Sequence, residues 1–415
     1  MSLLQRQAVV TALTANALHP VPGYRTGVPA MAAGWLTDEL APHLAALTAA
    51  DVVRELVLHG RRPVDRPGLA LSAATLAGLG WVVVQSQRAD GYVEDALVEA
   101  LGADYRERLS KVHTDLDLST PLSQLALPFR TPDDEVEVLR DIVYAPEHGR
   151  RGLLDVYRRR GAVPDGAGAP VLLQVHGGAW TVGSKTGQGV PLMRHLAARG
   201  WVCVAINYRL APRDPFPAQL VDVKRALAWI RSDGARFGAD PAFVAITGGS
   251  AGGHLAALAA LTPRDPAYQP GFEDADTAVQ AAVPHYGVYD FAAVTGTKRA
   301  RQLRDTFLGP RVLRTDPRRD LAPFEAASPL LQVGPDAPPF FVIHGRHDSL
   351  VEVGQARQFV EALRRVSGET VAYAELPGTQ HAFDVFPSIR SAHVVRGVDR
   401  FLRWTRDAWL EERSR

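Results

Sequence analysis

The sequence predicts an α/β protein in which a mostly parallel, doubly wound sheet follows an N-terminal helical extension. From residue 136 onward, apolar runs typical of buried strands alternate with helix-like segments. One of the turns between them, Gly248–Gly252 of sequence GGSAG, joins the β-branched run Phe243–Thr247 to a helix rich in alanine and leucine. The 415 residues exceed what one core usually needs, so we expect a large domain with an appended segment.

The amino-acid composition argues against some classes of function. The 46 basic and 45 acidic residues nearly balance, which argues against a nucleic-acid partner because such proteins carry a basic excess. The single cysteine, Cys203, excludes an internal disulfide and is expected to be a small buried hydrophobe in its strand-like run. The first twenty residues make a poor secretory signal, since Thr11, Thr14 and Asn16 interrupt the apolar run. We therefore predict a cytoplasmic protein that begins with an amphipathic helix.

The N-terminal segment is expected to be helical. Thr48 and Asp51 resemble a capping box and predict a helix over Ala49–His59, while an apolar stripe with a four-residue period predicts another over Val93–Leu109. Between them, the charge-free stretch Pro67–Gln87 has the length of a membrane span but is diluted by glycine, serine and threonine. We favour a helix that packs on the main domain or contacts a membrane surface.

The prolines of residues 119–134 mark a linker, which predicts a helical extension over 1–135, acting as a cap or a membrane contact, and a sheet domain over 136–415. Strands are expected at 136–144, 153–157, 170–175, 201–206, 243–247, 279–283, 339–344 and 370–374, and helices at 192–199, 216–237, 254–261, 353–366 and 391–410. Residues 292–331 break the alternation and predict a lid-like insertion. We interpret its cations, Lys298, Arg299, Arg301 and Arg304, as a solvated helix face.

Ser250 is the candidate nucleophile. A serine between small residues on a strand-to-helix turn is a nucleophile elbow, and the free N–H groups of the following helix point at whatever it attacks. In such sheets the acid and then the histidine follow the serine in the chain. Asp348 and His381, each in a loop directly after a predicted strand, fit this order and the same edge of the sheet. Glu352 and Asp384 are nearby alternatives to Asp348, of which Asp384 lies too close in sequence to His381 to be its expected partner.

The segment His176–Trp180 follows the strand 170–175 and supplies candidate oxyanion donors. Backbone can approach a ligand closely at adjacent glycines, so the N–H groups of Gly177, Gly178 and Ala251 are predicted to form an oxyanion hole. Trp180 and Tyr208 are predicted substrate contacts, with core packing the alternative for Trp180. His344, His347 and Asp348 could suggest a metal site, but no further ligand cluster accompanies them, and we predict neither a metal nor a cofactor.

These motifs together resemble α/β-hydrolase carboxylesterases of the hormone-sensitive-lipase type. The resemblance is carried by His176–Gly178, the run Asn207–Pro212, the elbow with its following Gly253, and the Asp348 and His381 loops, and it extends from about Val136 to the C-terminus. It is nearest to an actinobacterial branch with an N-terminal extension. It implies hydrolysis of small-molecule carboxylic esters through an acyl-enzyme, with short to medium acyl chains and no cofactor.

Two departures from that pattern leave alternatives open. Many relatives carry a third glycine in place of Ala179 and an aspartate in place of Gly249. The His-Gly-Gly-x-Trp form is also found in kynurenine formamidases and in some feruloyl or acetyl esterases, so an arylformamidase-type amide hydrolase is the second hypothesis. A hydrolase fold kept as a binding module is the third, and the presence of all three triad residues disfavours it. Peripheral membrane contact through the N-terminal helices and homo-oligomerisation stay open.

Overall fold

The computed structural model describes residues 2–58, 64–109, 127, 129, 135–161 and 168–415. Within them, eight strands form one sheet in the order β1-β2-β4-β3-β5-β6-β7-β8. The strands are β1 Val136–Val143, β2 Leu153–Arg159, β3 Ala169–Val175, β4 Val202–Ile206, β5 Ala239–Gly249, β6 Ala281–His285, β7 Phe340–Gly345 and β8 Val371–Leu376. Pairs β1–β2 and β2–β4 are antiparallel and all other pairs are parallel, which confirms the predicted α/β-hydrolase fold.

Helices cover both faces of this sheet. The α-helices of the described residues are α1 Leu3–Leu18, α2 Gly27–Glu39, α3 Ala41–Leu58, α4 Arg66–Leu101, α5 Tyr105–Arg108, α6 Val190–Ala198, α7 Ala218–Asp233, α8 Ala251–Leu261, α9 Lys298–Leu303, α10 Ala322–Ala326, α11 Val353–Val366 and α12 Ile389–Ser414. Helices α7, α8 and α11 pack on one face, and α4, α6 and α12 pack on the other. Strands β4, β6 and β7 are therefore buried along their whole length, as expected of parallel strands between helix layers.

The sheet domain follows its sequence pattern closely. Helix α11 has the predicted bounds, and β8 lies within two residues of its prediction at each end. The long helix predicted over 216–237 is shorter, because α7 ends at Asp233 and a 3₁₀ turn, Gly234–Phe237, follows. The insertion 292–331 contains α9, a π-helical segment Arg304–Leu313 and α10.

The N-terminal helices differ more from prediction. Thr48 lies inside α3 rather than at its start, so the predicted helix over 49–59 begins too late, and His59 lies outside the described residues. Pro42 is compatible with the first turn of a helix, and packing of Ala41 against Leu79 and Val82 favours the earlier start over the local cap signal. The predicted linker at 119–134 falls almost entirely outside the described residues, so the domain boundary stays a prediction.

Helix α4 unites two segments that the sequence pattern separates. Its first half packs through Leu79 and Val82 on α1 and α3, and its second half places Val93 and Leu97 in the core between the sheet and α12. Within the described residues, α4 is the one helix long and apolar enough to cross a membrane by length and composition. The second half completes the core of the sheet domain, whereas the stretch Pro67–Gln87 packs mainly on α1 and α3, so its contact with a membrane surface stays a prediction.

Candidate active site

Ser250 occupies a strained turn between β5 and α8. Its φ of 59° and ψ of −121° lie outside the usual regions for a residue with a side chain, and its N–H donates to the His285 carbonyl at 3.0 Å. A Cβ at Gly252 would collide with the Val175 carbonyl oxygen, so the turn requires glycine there. The first bond of α8 runs from His254 N–H to the Ser250 carbonyl at 3.0 Å. The N–H of Ala251, the first residue of the helix, therefore has no acceptor within the helix.

His381 and Asp348, predicted from chain order alone, lie together. The Nδ1–H of His381 donates to Asp348 Oδ2 at 2.6 Å, and both side chains are buried. The other carboxylate oxygen accepts from the N–H groups of Leu350 and Val351, each at 2.8 Å. Burial alone would raise the pKa of Asp348, but the charges and hydrogen bonds of His381 and His344 hold it well below its usual range. Asp348 is thus an ionised acceptor that fixes the orientation of the imidazole.

Gln380 joins the loops that carry the acid and the histidine. Its side-chain oxygen accepts from the N–H of Ser349 at 2.7 Å and from the N–H of His381 at 2.9 Å. Its amide nitrogen donates to the Ser349 hydroxyl at 2.6 Å. The sequence analysis missed this residue, because a glutamine in a loop carries no signal of which loop it meets.

The oxyanion loop differs from prediction at one donor. The N–H of Gly177 donates to the Gln188 side chain at 2.6 Å, which corrects the prediction that this group is free to bind an oxyanion. The N–H groups of Gly178 and Ala179 have no hydrogen-bond partner among the described residues. Ala179 has a φ of 51°, which explains why glycine is common at this position in the resembling family. The loop lies beside Ser250, since a Cβ at Gly177 would be 3.2 Å from Ser250 Cβ.

Tyr208 supports this loop from beneath and does not reach a substrate pocket. It is fully buried, its ring stacks on His176 with centroids 4.1 Å apart, and its hydroxyl donates to the His176 carbonyl at 2.8 Å. The His176 Nδ1–H donates to the Gly177 carbonyl at 2.7 Å. Burial lowers the pKa of His176 to about 4, so the ring is neutral at pH 7. This burial corrects the predicted substrate contact of Tyr208.

Burial also corrects the predicted substrate contact of Trp180, and the alternative, packing in the core, describes this residue. Its side chain is 2% exposed, its indole N–H donates to His254 Nδ1 at 3.1 Å, and its ring meets Phe291 edge-on at 5.0 Å. The Nε2–H of His254 donates to the Ala327 carbonyl at 2.8 Å, which fixes the tautomer. Burial lowers the pKa of His254 to about 3. The chain Trp180–His254–Ala327 therefore ties the oxyanion loop to α8 and to the insertion.

A second His–Asp pair lies next to the first. His285 Nδ1–H donates to Asp384 Oδ2 at 2.6 Å, and the Tyr286 hydroxyl donates to the other oxygen. The Tyr286 ring is 4.5 Å from the His381 ring, and a Cβ at Gly249 would collide with its hydroxyl. Tyr286 thus occupies the space that an aspartate at 249 would need. The sequence analysis missed this cluster, although His285 ends β6 and Asp384 follows β8 at the same edge of the sheet.

The described residues contain no group of three or more histidines, cysteines, aspartates or glutamates that could hold a metal ion. They do contain a serine at the edge of the sheet, a histidine oriented by an ionised carboxylate, and backbone N–H groups without hydrogen-bond partners. These are the parts that nucleophilic catalysis by serine needs. The insertion borders this edge, since the Thr297 hydroxyl donates to Glu352 at 2.8 Å, four residues after Asp348.

Comparison with known proteins adds an independent line of evidence for the function. A family model described as BD-FAE matches residues 154–363. The chain is 44% identical over 405 residues to the probable carboxylic ester hydrolase LipM of Mycobacterium tuberculosis, covering 95% of this chain and 91% of that protein. It is 46% identical over 328 residues to esterase LipQ of the same organism, covering 78% and 76%. The butyrate-bound structure of the Thermogutta terrifontis esterase Est2 matches with a TM-score of 0.54 and 27% identity, covering 65% of this chain and 93% of that chain.

Proposed function

The chain belongs to the α/β-hydrolase carboxylic ester hydrolases, and we propose that Ser250, His381 and Asp348 carry its reaction. The observation that most directly supports this assignment is the 2.6 Å bond between His381 and Asp348 at the edge of the sheet that also presents Ser250. The strained elbow supports it as well, because strain in a backbone turn is typical of a nucleophile held away from the sheet.

In the proposed mechanism, Ser250 Oγ attacks the acyl carbon while His381 Nε2 accepts its proton. Asp348 stabilises the imidazolium, and the N–H groups of Gly178, Ala179 and Ala251 bind the oxyanion. His381 then protonates the leaving alcohol, and the acyl-enzyme remains. A water molecule, deprotonated by His381, attacks the acyl carbon and releases the carboxylic acid and Ser250.

Short to medium acyl chains are the proposed substrates. Each buried methylene contributes about 0.8 kcal/mol while the pocket has room, so the preferred length reports the depth of the acyl pocket. Butyrate in the structure of the similar Est2 supports a short-chain preference. The amide alternative rests on the motif His176–Trp180 and is tested beside the esters.

We also propose a cytoplasmic protein whose N-terminal extension, residues 1–135, contacts membrane surfaces. Thirteen large apolar side chains are exposed between residues 2 and 109, against six between residues 135 and 415. Such an excess of exposed apolar surface is typical of an interaction site. The same surface would serve a contact between two copies of the chain, which is the competing outcome.

Initial rates on p-nitrophenyl esters from acetate to decanoate, measured beside N-formylkynurenine, test the proposed function. We expect a maximum at short or medium chains and a loss of about 10⁶-fold in kcat for Ser250→Ala. Ser184→Ala, which removes a serine at the far end of the oxyanion loop, is the matched control and should retain its rate. Full activity of Ser250→Ala would contradict the mechanism, and a preference for the formamide would move the protein to amide hydrolysis.

A further inference from the structure

A cavity of about 940 Å³ lies between the N-terminal extension and the insertion. Residues Pro22–Thr26, which connect α1 to α2, form one wall, and side chains of α9 form the other. The lining residues that carry charge are Arg25, Lys298, Arg299 and Glu352. The cavity therefore places three cations and one carboxylate around one open space.

The three cations have no acidic partner among the described residues. Neighbouring arginines of the insertion do have partners, since Arg301 donates to the Gly296 carbonyl at 2.6 Å and Arg304 to Asp305 at 2.7 Å. The basic residues of this segment therefore fall into two sets. The interpretation as a solvated helix face holds for the exposed Lys298 and Arg301, whereas Arg299 is half-buried, and Lys298 and Arg299 both line the cavity. Charges of one sign that line a concave surface concentrate their field within it and attract ions of the opposite sign.

The cavity opens beside the loop that carries Asp348. A Cβ at Gly27 would lie 2.9 Å from Arg299 Nη2 and 2.7 Å from the Ser349 carbonyl oxygen, so the guanidinium and this carbonyl both lie close to Gly27. Ser349 is bonded in turn to Gln380, the residue before His381. The guanidinium of Arg299 thus lies at the edge of the two loops that hold the acid and the histidine.

We propose that this cavity binds an anionic group, a carboxylate or a phosphate, carried by the ester substrate while its ester bond lies at Ser250. The planar guanidinium of Arg299 is suited to bind either group through two parallel hydrogen bonds, and Lys298 and Arg25 supply further positive charge. Glu352 accepts the Thr297 hydroxyl and is the one negative group on the wall. This proposal rests on the proposed function, because it assigns the substrate class of the same site.

The test compares two esters of similar length, p-nitrophenyl butyrate and the mono-p-nitrophenyl ester of glutaric acid, which carries a free carboxylate. The measured quantity is the ratio of kcat/KM for the anionic ester to kcat/KM for the neutral ester. We expect Arg299→Gln and Lys298→Gln each to lower this ratio about tenfold, through KM for the anionic ester. Arg301→Gln, on the same helix but bonded to a backbone carbonyl, should leave the ratio at its wild-type value.

Two controls separate the possible outcomes. Raising the salt concentration from 50 to 500 mM should lower the wild-type ratio, because exposed charges are then screened, and it should lower it less in Arg299→Gln. Inorganic phosphate should inhibit hydrolysis of the anionic ester more strongly than that of the neutral ester. An unchanged ratio in both variants would overturn the inference while leaving the esterase mechanism intact. Loss of hydrolysis of both esters by wild-type protein would instead overturn the proposed function.

Discussion

The sheet domain and the N-terminal extension bury their apolar surface in different ways. In the sheet domain, helices cover both faces and the central strands are buried over nearly their whole length. The extension has α1 and α3 on one side of α4, yet residues such as Leu47 and Val57 on α3 are 67% and 73% exposed. The sheet domain thus satisfies its apolar surface within the chain, whereas the extension keeps apolar surface available for another contact.

The two regions meet at a buried polar seam. Arg390, near the start of α12, is fully buried and pairs with Glu39 at the end of α2. Ser388 donates to the same carboxylate, and Arg390 Nη2 donates to the Gly378 carbonyl at 3.1 Å. Burial raises the pKa of Glu39, and the Arg390 charge offsets part of that effect. Because Gly378 lies three residues before His381, the extension reaches the loop that carries this histidine.

The largest expected effect after that of Ser250→Ala lies wholly within the sheet domain. Asp348→Asn should lower kcat about 10⁴-fold, because an asparagine cannot hold the imidazole in the required tautomer or stabilise its charge. Asp384→Asn is the matched control from the second His–Asp pair, and we expect less than a tenfold change in kcat. Initial rates on the preferred p-nitrophenyl ester measure both.

The same pair of variants should respond differently in stability. Loss of the charge-assisted bonds to His285 and Tyr286 in Asp384→Asn should lower the free energy of unfolding by about 1.5–3 kcal/mol in urea titrations. A loss of kcat in Asp384→Asn equal to that in Asp348→Asn would contradict the assignment of the acid. It would also mean that the spacing argument against Asp384 is wrong.

The elements of the sheet domain could be predicted from the sequence more accurately than those of the extension, for a physical reason. Short segments encode the elbow at Ser250, the loops of Asp348 and His381, and helix α11. The residues of each segment fold against their own neighbours in the chain. The start of α3, by contrast, is decided by packing of Ala41 against α4, which a local cap signal at Thr48 cannot report. The sequence divides helix α4 in two because the first buried positions of the helix are Gly68, Ser72 and Thr75, which form no apolar stripe.

The wrong predictions within the site also arise from contacts that a local sequence pattern does not report. The occupied N–H of Gly177, the burial of Tyr208 and the cluster around Asp384 all depend on contacts between segments distant in the chain or on which side of a loop a ring lies. Residue type and order predict which groups can do chemistry. They do not predict which of those groups a neighbouring side chain has already engaged.

The second prediction concerns the seam. Glu39→Gln should lower the free energy of unfolding by about 3–5 kcal/mol, because it leaves the buried Arg390 charge without a carboxylate. Asp38→Asn, at the preceding position of α2, is the matched control. Burial raises the pKa of Asp38 well above its usual range, so the loss of its charge should cost less. Urea titration of both variants measures the difference, and equal stability of Glu39→Gln and wild type would show that the extension is held by apolar contacts alone.

The smallest expected effect tests the free apolar surface of the extension. The double variant Leu47→Ser and Val57→Ser should bind anionic phospholipid vesicles about thirtyfold more weakly than wild type, because each buried apolar side chain contributes on the order of 1 kcal/mol at a membrane interface. Val366→Ser, at the end of α11, removes an apolar side chain of the sheet domain that is 47% exposed and should leave binding unchanged. Vesicle sedimentation measures the three proteins. If the double variant binds vesicles as wild type does, the membrane contact is wrong. If light scattering then shows a wild-type dimer that dissociates in the double variant, this surface binds a second copy of the chain. In that case too, the sheet domain would bury its apolar surface within the chain and the extension would bury part of its apolar surface against another molecule.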